Sequence, residues 1–268
     1  QNTFTIRDLL KQDNLNQQQI KFFKRGELEI EALKKISHVI GRTTWDKACV
    51  MEINPEVKYH SCNETLRSSF YSSEWDLSIC EKNSIFMSQG SYPIKGLHFM
   101  IKAMPLILEK NPDAKLYIGG VDITRAHTIK DKIKITTYGK YLRKIIHDNH
   151  LQDKVIFTGL LNEKEMRDRY LKSHVFVCPS SIENSPNSLG EAMILGVPCV
   201  ASYVGGVSDL LIDKQEGFLY QADAPYMLAH YVCEIFADND LALKFSSNAR
   251  EHALRTGSYT VLRSNRTP

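Results

Sequence analysis

The sequence predicts an α/β protein: a doubly wound parallel sheet joined to an incomplete second α/β lobe. Two observations lead there. From Lys82 onward, short strand-like runs alternate with helical patterns. The runs are apolar almost throughout rather than on alternate residues, as expected of strands covered on both faces. Residues 1–82 lack this alternation at sufficient length to form a lobe of their own.

In chain order, "QQQIKFFKRGELEIEALKKI" reads as a long charged helix, "SHVIGRT" as a strand, "TWDKACVMEI" as a short helix and "VKYHSC" as a second strand. Two strands do not make a stable lobe, so residues 1–82 read as part of an N-terminal lobe, with "NETLRSSFYSSEWDLSICEKN" as the connection to the next. "SIFMSQG" (84–90) is a strand ending in a glycine turn, "KGLHFMIKAMPLILEK" (95–110) a helix, and "AKLYIGG" (114–120) a strand with a Gly-Gly stop. After an irregular insert come helix 138–150, strand 154–160, helix 163–173 and strand 174–180. A helix from about Pro186 to Leu195, strand 197–202, a Gly-Gly turn at 205 and 206 and the apolar "GFLYQA" follow. Two helices, near 224–237 and 239–254, complete a lobe spanning 83–255. Residues 256–268 form an irregular tail. The start at Gln1 and the patternless end suggest a piece of a longer protein.

Composition excludes several functions. The chain has 268 residues, 43% of them apolar, and a formal charge of +3 from 34 basic and 31 acidic residues spread along its length. That is no nucleic-acid footprint. No run approaches the ~20 apolar residues of a membrane span, and the N-terminus lacks the layout of a signal peptide. A soluble cytoplasmic protein is expected, with any peripheral membrane association falling to the N-terminal lobe. The six cysteines, Cys49, Cys62, Cys80, Cys178, Cys199 and Cys233, are widely separated. None stands at metal-ligand spacing, and buried inert thiols are the expected state.

Ligands of doubly wound sheets bind beyond the carboxyl ends of the strands. "SSIENSPNSLGEAMILGVPCVAS" (180–202) places Glu183 at that rim and Glu191 in the helix that follows. Ser185-Pro186 reads as an N-cap followed by proline at the first helical position. The N–H groups of Asn187 and Ser188 then point out of the helix start, where a phosphate binds readily. Glu191, about one and a half turns in, can accept hydrogen bonds from adjacent hydroxyls of a ribose beside that phosphate. The residues alone leave a second reading open, in which Glu183 is a loop carboxylate and Glu191 a first-turn acid complementing the helix dipole. Likewise, a lysine at a helix start such as Lys95 is commonly a surface residue.

Glu-x7-Glu, flanked by "VCPSS" and "EAMILGVPCVASYVGGVSDLL" and preceded by "FMSQGSYPIKGLHFMIKAM", "AKLYIGG" and "DKVIFTGLLNEKEM", resembles the donor-site signature of retaining GT-B glycosyltransferases of the GT4 type. The resemblance covers residues 83–255. It implies a nucleotide-sugar donor, with Glu191 on the ribose, Glu183 as the catalytic residue facing the transferred sugar and Lys95 on the diphosphate. Asn187, Ser188, Gln89, Gly90 and Leu160 complete the implied donor site. The acceptor would be a glycan or a lipid-linked sugar, in polysaccharide or glycoconjugate synthesis. No cofactor and no metal are implied, in keeping with the lack of an Asp-x-Asp motif. Fixed donors aimed at the departing diphosphate would carry the reaction without a protein nucleophile.

The chain departs from the family at two places. Ser88-Gln89 stands where a Gly-Arg pair is common, removing one of two usual diphosphate cations, and "NSPNS" replaces a glycine-rich turn. The front of the acceptor lobe is also missing from the sequence, so the chain by itself is expected to bind donor and transfer nothing. An NAD-dependent dehydrogenase shares this sheet, but no strand is followed by G-x-G-x-x-G. The alternative kept open is a non-catalytic nucleotide-sugar-binding or lobe-pairing module.

Overall fold

A computed structural model of the chain describes residues 14–63, 65–126 and 128–257, together with residues 5, 7 and 8. The first part opens on α1 (Leu15–Leu33), fixed by a capping box between Asn14 and Gln17. β1 (His38–Gly41), α2 (Thr44–Ile53) and β2 (Lys58–Ser61) follow, and β1 and β2 pair in parallel with His38 opposite Lys58. A one-turn helix, α3 (Ser68–Tyr71), lies in the connection.

The second part is the expected parallel sheet. Its strands are β3 (Glu81–Met87), β4 (Lys115–Ile118), β5 (Val155–Phe157), β6 (Ser173–Cys178), β7 (Cys199–Ser202) and β8 (Gly217–Tyr220). They lie side by side in the order β5-β4-β3-β6-β7-β8, all parallel. The chain therefore winds outward from β3 in one direction, returns to β6 and winds the other way. The crevice between the carboxyl ends of β3 and β6 is the topological switch point. The helices between and after these strands are α4 (Leu97–Lys110), α5 (Ile129–Lys134), α6 (Thr137–Asp148), α7 (Glu163–Lys172), α8 (Asn187–Leu195), α9 (Val207–Leu210), α10 (Pro225–Ala237) and α11 (Asn239–Gly257). In one layer α4 packs on α6 and α10, and in another α8 packs on α7, α11 and α3. Because both faces are covered, every residue of β6, β7 and β8 is buried, which is why these strands read as unbroken apolar runs.

The differences from the expected elements have local causes. β3 starts three residues early, at Glu81. Its exposed Glu81 and Lys82 hide it from an apolar-run reading, and the register shifts around Asn83, whose φ of 59° an asparagine tolerates. The irregular insert contains α5, nucleated by a capping box between Thr128 and Asp131. In α8 it is Pro186, with an extended ψ of 113°, that takes the cap position, so Asn187 rather than Pro186 is the first helical residue and Ser185 is not the cap. α11 runs on to Gly257, and Asn63 just past β2 donates to the Thr256 carbonyl. The rest of the expected tail, 258–268, lies outside the described residues. Cys80, Cys178, Cys199 and Cys233 are buried as expected, but Cys49 and Cys62 are exposed.

The connection is more than a tether. Phe70 is fully buried, and Trp75 lies in the lobe with its N–H donating to the Leu195 carbonyl at 2.7 Å and its indole N–H to the Ser173 carbonyl at 2.8 Å. Arg250 of α11 donates to the Tyr71 and Ser73 carbonyls. The segment from Phe70 onward is thus part of the second lobe's core. Trp75→Ala should cost about 3–5 kcal/mol of stability, read as a lower midpoint in urea unfolding, because it empties a packed site and leaves the Ser173 carbonyl without its indole donor, while the backbone bond to Leu195 is kept.

Candidate functional site

The loops leaving β3 and β6 meet at the switch point. Gly96 has a φ of 74°, and a Cβ there would collide with the Pro179 carbonyl oxygen; the Ser181 N–H donates to the Ile94 carbonyl at 2.8 Å. This backbone contact sets Lys95, at the end of a short 3₁₀ turn, against the loop that carries Glu183. Lys95 Nζ lies 2.6 Å from Glu183 Oε1, which also accepts from Ser180 Oγ at 2.8 Å. The sequence places these two residues on different parts of a ligand; the structure pairs them directly.

The Glu183 loop is fixed from two further directions. Its carbonyl accepts from the Gly206 N–H at 3.1 Å, and a side chain at Gly205, whose φ is positive, would strike that same carbonyl. From the first part of the chain, the β1–α2 turn reaches over it: Thr43 Oγ1 donates to Asn184 Oδ1 at 2.5 Å, and Asn184 Nδ2 donates to Asp46 Oδ2 at 2.8 Å. Arg42 donates to Asn187 Oδ1 and to the Ser185 carbonyl, both at 3.1 Å. Burial alone would raise the Asp46 carboxyl, but hydrogen bonds from the Arg42 N–H, Tyr59, Asn184 and the Thr43 N–H leave it below its ordinary range.

Helix α8 starts at the mouth of the crevice. Its first internal hydrogen bonds run from the Leu189 and Gly190 N–H groups to the Pro186 carbonyl, so the N–H groups of Asn187 and Ser188 lie ahead of them at the helix start. The Tyr170 hydroxyl, from a fully buried ring packed on Phe86 and Phe176, donates to the Ser188 carbonyl at 3.0 Å and anchors this turn. Glu191 is 5% exposed and pairs with Arg67 of the connection, Oε1 to guanidinium nitrogen, at 2.9 Å. Burial pushes the Glu191 carboxyl up, with Arg67 and then Tyr170 partly offsetting it.

Two cavities open here. The larger, about 390 Å³, is lined by Thr65, Leu66, Arg67, Ser88, Gln89, Met166, Asn187, Ser188 and Glu191. The smaller, about 20 Å³, lies beside Lys95, Ser180 and Glu183, and shares Ser88, Gln89 and Ser188 with the first. Six of the eight residues singled out by sequence therefore converge: Lys95 and Glu183 on one cavity, Asn187 and Glu191 on the other, Gln89 and Ser188 on both. Gly90 is buried just behind them, where a Cβ would press on Leu97 and Ile118. Leu160 is different. It is 81% exposed past the end of β5, two strands from the switch point, and lines neither cavity. Sequence reasoning missed Arg67 and Arg42, which lie more than a hundred residues from the helix they meet, and carried no local signal. Among the described residues no group of three or more His, Cys, Asp or Glu side chains is placed to hold a metal ion, and no helix is long and apolar enough to cross a membrane.

Residues 74–252, more than half of the chain, match the model of the family described as glycosyl transferases group 1. The chain belongs to that family. The family's match begins one residue before Trp75, so it takes in Trp75 but not Phe70, another residue of the connection buried in the lobe. A curated family relative, the putative glycosyltransferase YtcC of Bacillus subtilis, is 30% identical over 190 residues, which is 69% of this chain and 44% of that protein. The chain thus spans less than half the length of the curated relative. Among solved structures, sucrose-phosphate synthase from Thermosynechococcus elongatus superposes with a TM-score of 0.74 at 20% identity, covering 90% of this chain and 59% of that one. HepE from Anabaena, solved in complex with UDP-glucose, gives 0.73 at 17% identity, covering 89% of this chain and 65% of that one. These likenesses establish the shared GT-B fold.

The raised Glu191 carboxyl has a consequence for stability. A carboxyl whose folded pKa lies above its unfolded value contributes fully below that unfolded value, 4.5 for a glutamate, and the contribution is lost as pH rises through the folded one. Glu191→Gln does not ionise. Its stability relative to the unmutated protein should therefore improve between about pH 4 and about pH 7, measured by urea unfolding at both.

Proposed function

We propose that the chain is the donor-binding part of a glycosyltransferase that moves a sugar from a nucleoside-diphosphate sugar to a glycan or lipid-linked acceptor with retention of anomeric configuration, as in the GT4 group. One observation carries the reading: a helix start, a buried carboxylate and a lysine–carboxylate pair converge on one crevice at the switch point of a parallel sheet.

In this reading the diphosphate lies against the Asn187 and Ser188 N–H groups, with the Gln89 amide as a further donor. Glu191 accepts from the ribose hydroxyls, and Glu183 faces the hydroxyls of the transferred sugar. Lys95 stands between the two anionic groups. Held on Glu183 at 2.6 Å, its ammonium has further N–H donors for the phosphate oxygen that gains charge as the sugar leaves. The bond from the anomeric carbon to that oxygen breaks with its electron pair going to the diphosphate, and the bond to the acceptor oxygen forms on the same face as the acceptor hydroxyl's proton passes to the departing phosphate oxygen. No protein nucleophile, catalytic base or metal is assigned. The UDP-glucose held by HepE, a neighbour of the same fold, supports the ligand class. Assignment to a cytoplasmic enzyme of polysaccharide or glycoconjugate synthesis belongs to the same proposal.

Calorimetry with UDP, GDP and ADP tests it. At least one should bind, and Glu191→Ala should weaken that one by about tenfold or more, since each lost hydrogen bond to a charged group is worth about 1.5–3 kcal/mol. The matching deoxyribose nucleotide should show most of the same loss on the unmutated protein. Silence from all three nucleotides would overturn the reading.

Lys95→Ala separates the phosphate from the rest of the ligand. It should weaken the diphosphate nucleotide while leaving the bare nucleoside nearly unchanged. Equal losses for both would assign Lys95 to holding the Glu183 loop rather than to the ligand.

A further inference from the structure

We propose that Arg67, carried by the connection and not by any strand or helix of the sheet, is a ligand-binding cation of the larger cavity and contacts the anionic part of a nucleoside diphosphate. The inference rests on the donor-site reading above and adds to it a residue from outside the family's Glu-x7-Glu segment.

The charge balance of the cavity comes first. Of the residues lining the 390 Å³ space, Arg67 and Glu191 are the ones that carry charge. Lys95 borders the smaller cavity and is already paired with Glu183. A buried carboxylate facing a space meant for an anion would repel it, and the repulsion is strong where water is scarce. Arg67 removes that obstacle by standing on Glu191.

It also has capacity left over. The Glu191 side chain is almost enclosed, whereas that of Arg67 is 40% exposed. A guanidinium carries five N–H donors in a planar fork, and here one nitrogen contacts one carboxylate oxygen. The guanidinium carbon lies over the Phe70 ring, 5.2 Å from its centroid, a contact that holds the group without using its N–H donors on an acceptor oxygen. A partly exposed guanidinium of this kind suits bidentate recognition of phosphate.

The backbone that carries Arg67 is anchored to α8 on both sides. Leu66 packs where Gly190 has no side chain, its Cδ1 3.3 Å from the position a Cβ would take, and the Leu66 N–H donates to the Tyr71 hydroxyl at 3.2 Å. Phe70 and Trp75 then bind the following residues into the core. Arg67 is therefore placed beside Glu191 before any ligand arrives, and little side-chain entropy remains to be lost.

The test uses the full chain, Arg67→Ala, Arg67→Lys and Glu191→Gln, alone and combined, with UDP, GDP and ADP and their nucleosides as probes. Circular dichroism first establishes that each variant is folded. Arg67→Ala should weaken the diphosphate that binds best by about tenfold or more and its nucleoside far less, with a shallower salt dependence. Arg67→Lys should recover part of the loss. The effect should persist in the Glu191→Gln background, where neutralising a carboxylate is no longer needed. If the unmutated protein binds and Arg67→Ala binds as well or better, or if the effect vanishes with Glu191→Gln, Arg67 serves Glu191 alone and the proposal falls while the donor site stands. If the unmutated protein binds none of the three, both fall together.

Discussion

The structure depends on one close approach: the backbone of Gly96 lies against the Pro179 carbonyl where the loops after β3 and β6 meet. A parallel doubly wound sheet separates its two halves at that point, so the loops on either side need not touch. Here they do, because residue 96 has no side chain and adopts a left-handed conformation that other residues rarely take. From that contact follow the Lys95–Glu183 pair, the depth of the smaller cavity and the position of the Glu183 loop in front of α8. A bulkier residue at 96 would part the loops and open the crevice.

The first part of the chain acts on the site through the same loop. Its β1–α2 turn is a rigid unit, closed by the Thr43–Asp46 capping box and by Tyr59, whose hydroxyl bonds the Asp46 carboxylate and the Thr43 carbonyl. That carboxylate in turn accepts from Asn184, and Thr44 donates both its N–H and its hydroxyl to Asp209 beyond the Gly205-Gly206 turn. The small parallel pair β1–β2 therefore presents an arm of hydrogen-bonding groups to the Glu183 loop at the crevice. Gly206 has the same rationale as Gly96 on a smaller scale, since a Cβ there would press on Thr43.

Beneath the crevice the support is aromatic. Tyr170, Phe86, Phe176 and Phe70 form a contiguous cluster with ring centroids 4.9–6.1 Å apart. Edge-to-face contacts in the cluster add to simple burial. Its polar tip, the Tyr170 hydroxyl, emerges at the Ser188 carbonyl, so core packing is coupled directly to the first turn of α8. Phe70 joins the connection to this cluster, which is how a segment that looks like a linker comes to carry Arg67 to Glu191.

The sequence by itself determined the elements and their class. Buried parallel strands must be apolar on both faces, so β6, β7 and β8 are legible as runs, and the glycine stops after β3 and β4 and the Glu-x7-Glu segment after β6 fall at strand carboxyl ends by chain order alone. Glu183, Asn187, Ser188 and Glu191 were legible for the same reason: they follow one strand and open one helix, within nine residues. Tertiary structure decided what faces them. Arg67 and Arg42 reach the site from more than a hundred residues away, and nothing in "TLRSS" or "IGRTT" distinguishes an arginine that folds onto α8 from one left in solvent. Leu160 shows the converse: it follows β5 at the edge of the sheet and is 81% exposed, lining neither cavity, whereas Met166 six residues on lines the larger one, a distinction that chain order does not make. Strand identity is local and is fixed by side-chain pattern. Strand order and the docking of a connection depend on contacts between distant segments, and only the folded chain specifies them.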